Sequence, residues 1–197
     1  MSDQETKITR RHLLLTAAGT GVGLGGLSAL VTAGSLRPPE PLKATEGDHL
    51  VFAEGEREGE FITAEDLNLG GPMVFAYPAA DGKVKSEGPT QIIVMRFDES
   101  ELSEETRRYS AGGIVAYSAV CTHLGCPVSI WMAETQQLQC PCHLGIYDPK
   151  DMAKVISGPP PRALPILPLR SQAGEIVVAG ELVEGRRASE PDPNRRG

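Results

Sequence analysis

The sequence predicts an all-β fold, an antiparallel β domain preceded by one N-terminal transmembrane helix. Three observations carry this. From about residue 48 onward, short apolar runs alternate with clusters of turn formers. The composition of 22 Gly, 16 Pro and only 5% aromatic residues suits short strands joined by many turns better than a helical bundle. Leu13 to Leu36 is a run of 24 residues without a charge, long enough to cross a bilayer.

Taken in order, residues 1–12 form a basic N-terminus that reads as cytoplasmic. Thr9-Arg10-Arg11-His12-Leu13-Leu14-Leu15 resembles a twin-arginine export signal, with Arg10 and Arg11 as its pair. Residues 13–36 are either a retained anchor, the reading their length favours, or a signal cleaved after Val31-Thr32-Ala33. Either places the rest of the chain on the extracytoplasmic, periplasmic side of a bacterial cytoplasmic membrane. Arg37-Pro38-Pro39-Glu40-Pro41 cannot continue a helix, so residues 37–48 read as a semi-rigid tether.

The domain is expected over 49–184, with strands at Met73–Tyr77, Gln91–Phe97, Ile114–Val120, Val128–Met132, Leu164–Leu169 and Ile176–Val178. The acidic stretches Glu54–Glu60 and Asp98–Glu105 read as solvated loops. Ser100 or Ser103 could cap a short helix running to about Tyr109. Residues 185–197, rich in Arg, Pro and Asp, read as a flexible tail. The formal charge of −7 argues against a nucleic-acid partner, which needs clustered Lys and Arg. His12 and His49 carry only a surface reading.

All four cysteines lie within 22 residues, in two boxes: Cys121-Thr122-His123-Leu124-Gly125-Cys126 and Cys140-Pro141-Cys142-His143-Leu144-Gly145-Ile146-Tyr147-Asp148. Each box offers a thiolate beside an imidazole, Cys121 with His123 and Cys140 with His143, so two apposed turns would supply four metal ligands. Each leaves one cysteine over, Cys126 and Cys142. A zinc site of two Cys and two His is one alternative, disfavoured because structural zinc ligands are usually spaced Cys-x2-4-Cys and His-x3-5-His. Two disulfides with incidental histidines is another, and it leaves unexplained why two of only four histidines fall inside the boxes.

The boxes resemble the disulfide-containing Rieske iron-sulfur proteins of quinol-oxidising cytochrome bc complexes, over roughly residues 110–180. The resemblance implies a Rieske-like β domain with a small cluster-binding part at about 119–162 and one 2Fe-2S cluster. Cys121 and Cys140 would bind one iron, His123 and His143 the other, and Cys126 would pair with Cys142. Ring-hydroxylating dioxygenases and their ferredoxins generally lack that extra cysteine pair. Gly158-Pro159-Pro160-Pro161 resembles the family's proline loop, which places Gly158 and Pro159 in the cluster environment. Leu124 would shield the cluster, Tyr147 would donate a hydrogen bond to it, and His143 would contact the quinol.

Neutral imidazoles in place of two thiolates make the oxidised centre less negative, so adding an electron is easier, in a range of about −150 to +300 mV. Reduction in turn raises the basicity of the exposed imidazole nitrogens, so electron and proton can move together. Many family members carry a serine in the second box where this chain has Leu144-Gly145, so one hydroxyl donor is missing. That implies a lower potential, better matched to menaquinol than to ubiquinol, and a midpoint raised by Gly145→Ser. The function implied is one-electron transfer from quinol to a c-type cytochrome beside cytochrome b, with proton release. The alternative is an electron-relay small subunit of another exported oxidoreductase, such as arsenite oxidase.

Overall fold

A computed structural model describes residues 43–86 and 90–189. The expected signal arginines, the expected membrane segment and the first part of the tether lie outside them. Among the described residues no helix is long and apolar enough to cross a membrane.

The strands, in chain order, are β1 (His49–Phe52), β2 (Val74–Ala80), β3 (Lys83–Val84), β4 (Ile92–Arg96), β5 (Ile114–Ser118), β6 (Ile130–Met132), β7 (Gln137–Cys140), β8 (Gly145–Asp148), β9 (Lys154–Ser157), β10 (Leu169–Gln172) and β11 (Glu175–Val178). One short helix, α1 (Glu104–Arg107), interrupts them. The larger sheet runs β10-β11-β1-β2-β4-β5, with β3 attached to β2, and the smaller runs β6-β7-β8-β9. All named strand pairs are antiparallel.

β4 and β5 explain why the expected all-β class holds. Their side chains alternate between two cores: Ile93, Met95, Val115 and Tyr117 face one, and Ile92, Val94, Ile114 and Ala116 face the other. A strand covered on both faces must be apolar throughout, which is how these two runs read. The first core also takes Leu138 and Tyr147 from the smaller sheet, so that sheet is fastened to the larger one by shared burial. Trp131 adds to the joint: a Cβ placed on Gly71 would lie 2.6 Å from its ring, so only glycine allows this approach.

Several expected elements differ in detail. Leu164–Leu169 does not form one strand, because Pro165 and Pro168 offer no N–H; only Ile166 bridges there, to Tyr117 and Val183, and β10 starts at Leu169. Strands β1, β3, β7, β8 and β9 were not expected, nor was β10 beyond Leu169. β2 and β3 are joined by Asp81-Gly82, both with positive φ (51° and 71°), the two-residue hairpin that Asp-Gly favours. The helix is shorter than expected and is capped by Ser103, whose Oγ accepts from Thr106 N at 3.2 Å.

The two ends of the domain are more ordered than their composition suggests. Ala44 and Asp48 are buried, Gly47 N donates to Val178 O at 2.9 Å, and Lys85 Nζ lies 2.6 Å from Asp48 Oδ2. Residues 44–48, read from the sequence as the end of a tether, therefore pack as part of the domain. At the other end, part of the segment expected to be a flexible tail is paired: Ala163 N donates to Arg186 O and Ala188 N to Pro161 O, at 2.8 and 2.9 Å.

Candidate functional site

The first box is a tight loop at the end of β5. Cys121 N donates to Cys126 O at 2.8 Å and Gly125 N to Cys121 O at 2.9 Å, which turns the chain back on itself and presents His123 and Leu124 at the bend. The second box is the β7–β8 hairpin, closed by the Cys140–Gly145 pair, with Pro141 to Leu144 as its loop. Leu144 closes that loop in the left-handed region, at φ 57°.

The two loops meet. Cys126 and Cys142 form a disulfide, as the resemblance implied. The His123 and His143 rings approach edge to face, with centroids 4.7 Å apart. Cys121 and Cys140 are free thiols and both are buried, at 3% and 1% exposure. The sulfurs of Cys126, Cys140 and Cys142 lie within 4.8 Å of one another, but two of these are joined in the disulfide, so of this trio only Cys140 has a thiolate to offer. The arrangement is polarised: thiols inside, His143 and the side chains of Leu124 and Leu144 outside, these leucines 71% and 61% exposed.

Tyr147 is fully buried, with its hydroxyl 3.2 Å from Cys121 Sγ and 3.4 Å from Thr122 Oγ1. Burial pushes this hydroxyl well above the ordinary tyrosine range, with the neighbouring Cys121 adding to the effect, so it stays a proton donor. Burial likewise raises the Cys140 thiol.

The proline loop lies directly on the second box. A Cβ on Gly158 would sit 2.8 Å from Gly145 Cα and 3.0 Å from Leu144 O, and one on Gly145 would sit 2.5 Å from Pro160 Cγ. Both contacts need glycine. A serine at 145 would therefore move Pro160 as well as add a hydroxyl, so Gly145→Ser cannot isolate the hydroxyl's effect. Sequence reasoning found the missing donor and missed the packing that fills its place.

The donor set fits a metal cluster. Two buried free thiols and two imidazoles converge from two loops, and His123 Nδ1 is buried with no hydrogen-bond partner. An unpaired buried nitrogen costs about 1–3 kcal/mol unless something binds it, and a metal would. Among the described residues a second such nitrogen, His49 Nδ1, instead faces Glu175 Oε2 at 2.8 Å.

These features describe a domain in which two disulfide-stapled loops gather two free cysteines and two histidines. The Rieske 2Fe-2S domain family matches residues 78–168. The cytochrome bc1 complex Rieske iron-sulfur subunit of Streptomyces coelicolor is 32% identical over 92% of this chain and 54% of its own length. Its counterpart from Streptomyces lividans is 33% identical over 73% of this chain and 91% of its own. A Haloferax mediterranei protein, provisionally named a respiratory nitrate reductase Rieske subunit, is 37% identical over 70% of this chain and 59% of its own. The chain belongs to the Rieske iron-sulfur protein family, and its cofactor is one Rieske-type 2Fe-2S cluster. It spans little more than half the length of the S. coelicolor and Haloferax relatives.

Proposed function

We propose that this chain is the Rieske electron-transfer subunit of a quinol-oxidising cytochrome bc complex. In this reading Cys121 and Cys140 hold one iron of the cluster and His123 and His143 the other. When bound, the cluster supplies one-electron redox chemistry in the range that imidazole ligation allows. His143 faces outward, and its ring nitrogen that does not hold iron would be the quinol contact: once deprotonated, it could accept a hydrogen bond from the quinol hydroxyl and take up its proton. Leu124 and Leu144 exclude water around that contact. Tyr147 donates to Cys121 Sγ from the buried side.

The observation that carries the reading is the polarity of the site. An exposed imidazole flanked by two exposed leucines suits docking into an apolar pocket of a membrane partner. The relatives named as cytochrome bc1 subunits support the same choice. The partners would be cytochrome b and a c-type cytochrome. The anchor at 13–36 would hold the domain on the periplasmic side, exported through the Arg10-Arg11 signal. Menaquinol is favoured over ubiquinol because Gly145 brings no hydroxyl.

A second reading is a relay subunit of another exported oxidoreductase, favoured by the Haloferax relative's name. Redox titration of membranes by electron paramagnetic resonance, with and without a quinol-site inhibitor, separates the two. A reduced-state signal with average g below 2 that shifts with inhibitor supports quinol contact at His143. The same signal without a shift favours the relay, and no signal at all sinks both.

A further inference from the structure

The proline loop cannot fasten itself. Pro159, Pro160 and Pro161 are consecutive and none has a backbone N–H, so between Gly158 and Arg162 the chain has no donor with which to hold its place. Its fit against the second box is nonetheless close enough to exclude a Cβ on either Gly158 or Gly145.

What fixes it comes from the far end of the domain. Residues 183–188 run as a strap alongside 161–166. Val183 and Ile166 exchange backbone hydrogen bonds at 2.8 and 3.0 Å, Ala163 N donates to Arg186 O at 2.8 Å, and Ala188 N donates to Pro161 O at 2.9 Å. This last bond grips the final proline of the loop itself. The approach at Gly185 is tighter still: a Cβ there would lie 2.3 Å from Ala163 O and 2.6 Å from Ala163 C, which are backbone atoms that cannot swing aside. Two ion pairs flank Gly185 in the strap, Arg162 with Glu184 at 3.0 Å and Arg186 with Glu105 in α1. On its other side the loop's exit is tied to the first box, where Thr122 Oγ1 donates to Arg162 O at 2.6 Å. Arg162 and Glu184 also line an open recess of about 340 Å³ that reaches Cys121 and Thr122.

We propose that the strap Val183–Ala188 is a positioning element of the cluster site, pressing the proline loop onto the second box, with Gly185 and Arg186 as the positioning residues that set its fit. The inference rests on the proposed ligation of the cluster by the two boxes. Loosening the strap lifts Pro160 from Gly145 and lets water nearer the ligands, which alters the balance between oxidised and reduced states.

The test uses the full chain in membranes, with Gly185→Ala, Arg186→Glu, and Arg186→Glu combined with Glu105→Arg to restore the ion pair. Val177→Ala in β11 serves as a control that weakens the domain away from the strap. Two quantities are read: the midpoint of the paramagnetic signal, and hydrogen exchange of peptides spanning residues 144–164. Gly185→Ala and Arg186→Glu should each shift the midpoint and speed exchange in that segment several-fold, the charge exchange should reverse both, and Val177→Ala should lower thermal stability while changing neither. The proposal is overturned if the strap variants merely lose stability as Val177→Ala does. If the wild-type chain gives no signal with average g below 2, the cluster reading fails, and the exchange data alone still decide whether the strap holds the loop. Should Gly185→Ala not fold, the Arg186 and Glu105 exchange carries the decision.

Discussion

Lys85→Met should be among the most destabilising single changes outside the metal site. The Asp48 carboxylate is 2% exposed and receives four donor contacts: Lys85 Nζ at 2.6 and 2.9 Å, Thr45 N at 2.8 Å and Thr45 Oγ1 at 3.0 Å. Methionine keeps the aliphatic stem and removes the charge. Breaking a buried pair from one side costs about 3–5 kcal/mol, because the remaining charge is left uncompensated. Thr45's two donors stay in place, and the Lys85 side chain is itself 18% exposed, so water can partly fill its position. The expected loss is therefore near the lower end, about 3 kcal/mol, or about 6–12 °C in Tm for a domain of this size. Urea unfolding of the full chain measures it. The double variant Asp48→Leu with Lys85→Met should recover part of the loss, since no charge remains buried. A loss under about 1 kcal/mol for Lys85→Met, no larger than a surface pair gives, would refute the reasoning. It would mean that solvent reaches Asp48 and that residues 44–48 are not locked into the domain.

Other perturbations reach different parts of the molecule. Tyr147→Phe removes the hydroxyl 3.2 Å from Cys121 Sγ and should lower the midpoint by tens of millivolts, at about 59 mV per tenfold change in the one-electron equilibrium. An unchanged or higher value in the redox titration counts against Tyr147 as a donor. Replacing Cys126 and Cys142 by Ser opens a loop of sequence separation 16 and should cost about 3 kcal/mol in denaturant unfolding; equal stability would mean that the two boxes hold together without their staple. The Asp66 carboxyl is held below its ordinary value of 3.8, first by its hydrogen bond from Arg57. That stability is present above the ordinary value and is lost as pH falls through the lowered one. Asp66→Asn should therefore flatten the acid limb of the stability curve, and an unaltered limb would show the Arg57 contact to be energetically idle.

How much of this was legible in the sequence differs from part to part. The paired strands β4 and β5 were visible because both their faces are buried and their runs are apolar throughout. β7 was not, because Gln137 and Gln139 turn to the open side and only Leu138 and Cys140 are buried. The run Leu164–Leu169 misled for the opposite reason: its apolar side chains do pack inward, but Pro165 and Pro168 forbid a ladder. At the site, residue types and spacing pointed to both boxes and to Tyr147. The fit of Gly145 against Pro160 and of Gly185 against Ala163 leaves no such trace, since glycine marks turns as often as close approach. The Asp48–Lys85 pair joins residues 37 apart in sequence with no periodic signal between them. At Gly145, Gly185 and Asp48 what was missed is a contact between segments apart in the chain.

The route of the chain also sets when the site can be complete. β1 has β2 as one neighbour and β11 as the other, and the strap that holds the proline loop begins only at Val183. As the polypeptide grows from its N-terminus, both ligand boxes are synthesised well before the segments that lock the larger sheet and the loop above them. Long-range antiparallel pairing of this kind is slow to form. In the folded domain both thiols are buried, and the strap that pairs with 161–166 is the last part of that enclosure to be synthesised.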